Sequence, residues 1–184
     1  GPACSLRAGG PDPGASAEAR SALQALDAAY EGLAEDGALA AEGAGDPTLT
    51  YGELRPEGAL ALLWCLGARP GQRFYDLGSG AGKTVAAAAL LGLNATGIEL
   101  LRNRWDVSCQ AARSLPTAAS ASAVAPLLSP PSFVLDSILD VDFSDADIIF
   151  ANSLLFSEET IEQLSDKARR LRPGTWIVTY RTFL

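Results

Sequence analysis

The stretch that decides the fold runs from Phe74 to Thr84 and reads FYDLGSGAGKT. Its beginning is typical of a short buried strand, and three alternate glycines follow over Gly78–Gly82. Glycine lets a backbone turn tightly and approach a ligand closely. An alanine-rich helix is predicted next, over 83–91. In open α/β sheets, ligands bind beyond the carboxyl ends of the strands, so the pattern predicts a binding turn here.

The rest of the chain alternates between strand and helix patterns. Strands are predicted at 73–77, 95–99, 133–135, 147–151 and 175–179, and helices at 17–36, 56–67, 83–91 and 101–114. A further helix is indicated by apolar residues at helical spacing, Ile161, Leu164, Ala168 and Leu171, with Ser157 as its N-cap. A long connection without regular structure is predicted over 115–132. The alternation favours an α/β fold, a mainly parallel sheet with helices on both faces.

Composition excludes several classes of protein. The chain has 184 residues, enough for one core, and no apolar run reaches the length of a membrane span. It has no histidine, which excludes Ser-His-Asp catalysis and imidazole metal sites, and three scattered cysteines cannot form a zinc cage. The net charge is −8, and no basic nucleic-acid patch is visible. These features predict a protein that binds no metal, membrane or nucleic acid and lies inside the cell.

Three interpretations of the glycine loop compete. A phosphate-binding P-loop needs four residues between its glycines, whereas Gly78 and Gly82 are separated by three. A dinucleotide fingerprint places its third glycine five residues after the first, whereas here it follows after four. The third interpretation is S-adenosylmethionine binding. The alternative to all three is a structural glycine turn in an unrelated α/β protein.

Two carboxylates favour S-adenosylmethionine. Asp76 stands just before the turn, where it would repel a pyrophosphate but attract an ammonium, a sulfonium or a ribose hydroxyl. Glu99 ends the next strand, 21 residues after Gly78, where a carboxylate can accept from both ribose hydroxyls. The pattern resembles motif I of the class I methyltransferases, which have a Rossmann-like fold.

Flanking motifs make the resemblance more specific. Tyr51-Gly-Glu53 precedes the glycine loop, Asp136-Ser137 follows the third strand, and Asn152-x-x-x-Phe156 follows the fourth. Over about residues 50–183 the chain is similar to the disruptor-of-telomeric-silencing family of non-SET histone lysine methyltransferases. In that family the sheet continues with an antiparallel hairpin, which this sequence, ending at Leu184, is expected to lack. The family's basic DNA-holding segment is not visible either.

The resemblance implies a role for each motif. The loop Tyr51–Leu54, with Gly52 and Glu53, would close over the methionine end of the cofactor. The segment Phe74–Lys83 would hold the amino-acid part and sulfur, through Asp76, Gly78, Ser79, Gly80, Gly82 and Lys83. Glu99 would bind the ribose, and Asp136 and Ser137 the adenine. Asn152 would orient the incoming amine beside the methyl group. Asn152, Tyr51 and Phe156 would act together at the catalytic site. Phe156 would also line the lysine channel, with Thr179 or Tyr180.

These roles imply an organisation and a function. Residues 1–15 are expected to be a flexible lead-in with a tag scar at Gly1-Pro2, 16–68 an N-terminal helical cap with the closing loop, and 69–184 the cofactor-binding domain. The expected reaction is in-line methyl transfer to a neutral protein lysine, a histone or nucleosome being favoured, in the nucleus, leaving S-adenosylhomocysteine. Positioning and water exclusion would suffice, so no histidine base is needed. The alternatives are a methyltransferase of another protein or a small molecule, in the cytoplasm, and a catalytically silent cofactor-binding or interaction module.

Overall fold

A computed structural model describes residues 16–33, 39, 45–49, 52–124 and 127–181. Its five strands are β1 (Arg73–Leu77), β2 (Asn94–Glu99), β3 (Ser132–Leu135), β4 (Ile148–Ala151) and β5 (Trp176–Thr179). They form one sheet in the order β3-β2-β1-β4-β5, and every neighbouring pair is parallel. The central strand is β1. After it the chain forms β2 and β3 on one side, and later β4 and β5 on the other side. This switch point is where parallel sheets bind ligands, and the predicted α/β fold is confirmed.

The helices are α1 (Ala17–Tyr30), α2 (Pro56–Cys65), α3 (Lys83–Leu90), α4 (Arg102–Ala121) and α5 (Glu158–Ala168). Short 3-10 turns lie at Pro47–Leu49 and Ser153–Leu155. The predicted N-cap is confirmed, because the Ser157 hydroxyl accepts from the Thr160 amide at 3.1 Å. Residues 1–15 lie outside the described residues. The helix predicted over 17–36 ends earlier, at Tyr30: residues 31–33 form a turn, and 34–36 lie outside the described residues. The division of the chain at residues 68 and 69 stays a prediction.

The predicted end of α4 at 114 is wrong, and so is the unstructured connection that was expected from 115. The helix continues through Pro116 to Ala121. Proline lacks an amide hydrogen and its ring clashes with the carbonyl four residues earlier, so inside a helix it usually causes a kink or a break. Here Pro116 lies on the exposed side, while Leu115, Ala118 and Ala119 on the other side are buried in the core. Burial of these apolar side chains outweighs the lost hydrogen bond.

Alternation along the strands builds a core on each face of the sheet. Phe74 of β1 packs into a cluster with the alanine-rich α3 and the inner faces of α1, α2 and α4. Leu77 points to the opposite face, where it packs with Ile149 of β4 and Leu164 of α5. Asp76 lies between these apolar positions and is only 2% exposed. A carboxylate at this place therefore has little access to water.

No helix in the described part of the chain is long and apolar enough to cross a membrane.

Candidate functional site

A cavity of about 310 Å³ lies beyond the carboxyl ends of β1, β2 and β4. It is bounded by the glycine turn, the end of β2, the loop after β3 and the turn after β4. Its lining residues are Leu49, Gly52, Gly78, Gly80, Glu99, Leu100, Arg104, Ser137, Ile138, Leu139, Asn152, Leu154, Leu155, Phe156, Ser157 and Thr160. The wall is largely apolar, with a few polar groups that converge on it. This is the composition of a small-molecule site.

The glycine turn is fastened to the neighbouring strand. The amides of Gly78 and Ser79 both donate to the Ile98 carbonyl at 2.9 Å. Gly78 has φ +81, and a Cβ placed on it would lie 3.5 Å from the Phe156 ring. Gly82 has φ +84, and its Cβ would lie 2.5 Å from the Phe133 ring. The left-handed backbone accounts for glycine at both positions, and at Gly82 the close Phe133 ring leaves no room for a Cβ as well.

Glu99 ties the turn to the start of α4. One carboxylate oxygen accepts from the Gly80 amide and the other from the Leu101 amide, each at 2.8 Å. The side chain is buried at 4% exposure and lines the cavity. Each oxygen accepts one bond from the backbone and keeps a lone pair for another donor. The site can therefore take hydroxyl donors at this point without moving Glu99.

Two further carboxylates carry buried oxygens that lack hydrogen-bond partners among the described residues. They are Oδ1 of Asp76 and Oε1 of Glu53, and Ser79 Oγ is in the same condition. Burial raises the pKa of Asp76 well above its usual value, and the negative charges of Glu99 and Glu53 raise it further. Buried polar atoms are normally paired, so these oxygens are candidate acceptors for a positively charged or hydrogen-bonding ligand group.

Lys83 links Glu53, one of these buried carboxylates, to the N-terminal helix α1. Its ammonium pairs with Glu53 at 2.7 Å and lies 5.8 Å from the centre of the Tyr30 ring. Tyr30 in turn donates from its hydroxyl to the Ala81 carbonyl at 2.9 Å. Burial raises the pKa of Tyr30 well above its usual value, as do the charges of Glu53 and Asp76 to a smaller extent. The hydroxyl therefore stays protonated and remains a donor.

The structure brings together most of the residues predicted for the site. Gly52, Gly78, Gly80, Glu99, Ser137, Asn152 and Phe156 line the cavity. Glu53, Asp76, Ser79 and Lys83 do not line it: Glu53 pairs with Lys83, and Asp76 and Ser79 are buried. Gly82 caps α3 and faces Phe133 rather than the cavity. Tyr51 lies outside the described residues.

Three further predicted residues also lie away from the cavity wall. Asp136 is exposed, and its carboxylate accepts from the Ser137 amide at 2.7 Å. Thr179 and Tyr180 do not line this cavity but a second, apolar one beside α2. Of the residues expected to line the lysine channel, only Phe156 lines this cavity.

Sequence reasoning missed Arg104, which lies on α4 and is only 5% exposed. Its guanidinium donates to the carbonyls of Leu39 and Leu49 at 3.0 and 2.6 Å. It thereby holds the chain just before the loop that carries Gly52. An arginine within an amphipathic helix carries no local signal of such a contact. Tyr30 was missed in the same way, since its spacing only indicates a core position.

Among the residues that the structure describes, no group of three His, Cys, Asp or Glu side chains is arranged to hold a metal ion.

Comparison with known proteins gives a family match over most of the chain. The model described as "Histone methylation protein DOT1" matches residues 44–184. The H3 lysine-79 specific histone-lysine N-methyltransferase of Candida albicans is 30% identical over 141 residues, 73% of this chain and 10% of that protein. The protein of the same description from Emericella nidulans is 27% identical over 139 residues, 73% of this chain and 28% of its own length. The chain therefore spans less than a third of either relative.

Solved structures agree on the fold. Phosphoethanolamine N-methyltransferase 2 of Haemonchus contortus, in complex with S-adenosyl-L-methionine, aligns with a TM-score of 0.55 at 20% identity, covering 84% of this chain and 35% of that one. An RNA methyltransferase of Salinibacter ruber, in complex with S-adenosyl-L-homocysteine, aligns with a TM-score of 0.52 at 21% identity, covering 70% and 76%. These similarities show the Rossmann-like fold of class I methyltransferases.

Proposed function

Because the chain belongs to the family of the histone methylation protein DOT1, we propose that it transfers a methyl group from S-adenosylmethionine to a lysine side chain of a histone. The observation that carries this proposal is the pair of buried, unpartnered carboxylate oxygens on Asp76 and Glu53 beside the glycine turn. The cofactor has an ammonium group but no phosphate. An ammonium is the ligand group that such oxygens would bind most strongly.

Polar groups that line the cavity fit the rest of the cofactor. The carboxylate of Glu99 keeps acceptor capacity toward the cavity, and ribose hydroxyls are suitable donors. Ser137 lines the cavity beyond β3, with Asp136 next to it in the chain, where the adenine would lie. We keep Tyr51 in the closing loop as part of this proposal, because its neighbour Gly52 lines the cavity.

When bound, the cofactor supplies an electrophilic methyl group on a sulfonium. The protein's own task is to place a neutral amine in line with it and to exclude water. Asn152 and Phe156 both line the cavity and are the residues we assign to orienting that amine and enclosing it. No protein base has to take a proton if the amine arrives neutral.

The surroundings of the cavity favour a neutral amine. Leu100, Leu154 and Leu155 line it and are 55%, 62% and 44% exposed, so they present an apolar rim to an incoming side chain. Desolvation by an apolar surface lowers the pKa of a lysine ammonium. The rim would therefore release the lysine's proton to solvent before the side chain reaches the site. Action on histones would place the protein in the nucleus.

Two measurements test the proposal. Calorimetry with S-adenosylhomocysteine should show binding to the wild-type chain and weaker binding to Glu99→Gln. Labelled methyl from S-adenosylmethionine should then be transferred to histone H3 in nucleosomes or free histones. Labelling of a small molecule or of non-histone proteins alone would favour the other substrate classes. Absence of S-adenosylhomocysteine binding would refute the proposal at its first step.

A further inference from the structure

The N-terminal helix α1 lies before the region that matches the family model, yet it reaches the cofactor site. The match begins at residue 44, whereas α1 ends at Tyr30. The Tyr30 hydroxyl donates to the carbonyl of Ala81, 51 residues later and between two glycines of the binding turn. A turn of small residues has little side-chain packing of its own to define its shape. An external hydrogen bond to its backbone therefore matters for its geometry.

The same tyrosine also contacts the charged part of the site. Its ring lies 5.8 Å from the Lys83 ammonium, within the range of a cation–π attraction. Lys83 follows the turn directly and pairs with Glu53 at 2.7 Å, in a bridge whose two side chains are only 28% and 15% exposed. Tyr30 thus contacts both the glycine turn and the cation that holds the closing loop.

Helix α1 is packed firmly enough to hold Tyr30 in position against the glycine turn. Its inner face includes Ala22, Ala25, Leu26 and Ala29, all nearly inaccessible to solvent, and these residues pack into the main core. Small side chains allow the helix to lie close to its neighbours. Tyr30, at the end of this fixed helix, is consequently held in place relative to the sheet.

We propose that Tyr30 is a positioning residue of the cofactor site, which fixes the Ala81 carbonyl and the Lys83 ammonium so that the carboxylates of Glu53 and Asp76 face the amino-acid end of the cofactor. The inference rests on the proposed function, since it assumes that S-adenosylmethionine is the ligand. It assigns a part of the binding site to a segment outside the family match. Tyr30 itself touches no reacting atom.

The test compares two ligands that differ only at the end that Tyr30 supports. S-adenosylhomocysteine carries the amino-acid part, while 5′-methylthioadenosine retains the adenine and ribose without it. Tyr30→Phe removes the hydroxyl but keeps the ring. By calorimetry we expect this variant to bind S-adenosylhomocysteine about fivefold more weakly, the value of one hydrogen bond, and 5′-methylthioadenosine unchanged. Tyr30→Leu, which also removes the ring, should show a larger loss with the same selectivity.

Tyr75→Phe is the matched control, because its hydroxyl bonds to Asp145 at 2.9 Å and that contact involves no residue of the cavity. It should leave both affinities unchanged. Equal weakening of both ligands by Tyr30→Phe, or no weakening of either, would overturn the assignment. If the wild-type chain bound neither ligand, the proposed function would fall and the assignment with it. Thermal unfolding of each variant checks that the fold is retained.

Discussion

The side-chain amide of Asn152 donates a hydrogen bond of 3.0 Å to the backbone carbonyl of Gly52, a residue 100 positions earlier in the chain. Both residues line the cavity, so the bond joins the loop before α2 to the turn after β4. The resemblance to the family implies that Asn152 orients the substrate amine. In the described structure its side chain also holds the loop expected to close over the cofactor.

Asn152→Ala should weaken S-adenosylhomocysteine binding by about five- to tenfold, because the Gly52 carbonyl loses its donor and the loop loses one attachment. Asn94→Ala is a suitable control, since Asn94 makes the same kind of bond, to the Gly71 carbonyl at 3.1 Å, at the other end of the strands. Calorimetry on both variants compares the loss of S-adenosylhomocysteine affinity at the two positions. Equal effects of the two substitutions would argue against a role of Asn152 in holding the loop.

Asp76→Asn should change how the stability of the ligand-free protein depends on pH. The pKa of Asp76 is raised in the folded protein, mainly by burial. The folded state therefore holds this proton at pH values where the unfolded state has released it, and this contribution to stability is lost as pH rises through the folded pKa. The wild type should lose stability relative to Asp76→Asn over that range, as measured by urea unfolding from pH 4 upward.

Asp106→Asn serves as the comparison for that experiment, since Asp106 is an exposed carboxylate on α4. The difference between its unfolding free energy and that of the wild type gives the baseline for loss of an exposed carboxylate. A constant difference between wild type and Asp76→Asn across the range would contradict the prediction.

Glu99→Gln should weaken the binding of S-adenosylhomocysteine and of 5′-methylthioadenosine by the same factor, because both ligands contain the ribose. Both oxygens of Glu99 accept backbone amides, and an amide side chain can replace only one of them as acceptor. We expect a loss of about tenfold or more, since a buried donor is left unpaired. Calorimetry on Glu162→Gln, an exposed glutamate of α5, gives the baseline. A loss confined to S-adenosylhomocysteine would place Glu99 at the wrong end of the ligand.

Gly82→Ala should destabilise the protein more than Gly174→Ala. Both glycines have positive φ, so both substitutions introduce backbone strain of about 1–2 kcal/mol. Only at Gly82 does the new Cβ meet a neighbour, the Phe133 ring at 2.5 Å, which adds about 1–3 kcal/mol of overpacking. Urea unfolding measures both values. Equal losses would mean that the Phe133 ring moves aside freely.

Much of the fold could be predicted because its signals are local. The boundaries of β1 were predicted correctly from the apolar residues before the glycines, and the Ser157 cap from its side chain and position. The end of α4 was missed because Pro116 reads as a helix breaker until its exposed position is known. Solvent exposure of one residue is a property of the tertiary structure, and no local rule supplies it.

The candidate site shows the same division. Asp76 and Glu99 were predicted because they stand at fixed distances from the glycines along the chain. The contacts of Tyr30 with Ala81 and of Arg104 with Leu49 join residues more than fifty positions apart. A tyrosine at this spacing is typical of any core position, and an arginine is typical of any solvated helix face, so neither residue type indicates such a contact. Only the packing of α1 and α4 shows that they reach the site.

The alanine-lined face of α1 limits how the protein can be dissected for experiments. Ala22, Ala25 and Ala29 pack into the same apolar cluster as Val85 and the alanines of α3. A fragment cut at the start of the family match would leave that cluster open to water and would lack Tyr30. Such a fragment would be prone to aggregation, and weak ligand binding by it would say nothing about the chemistry of the remaining residues. Expression should therefore begin upstream of Ser16, the N-cap of α1.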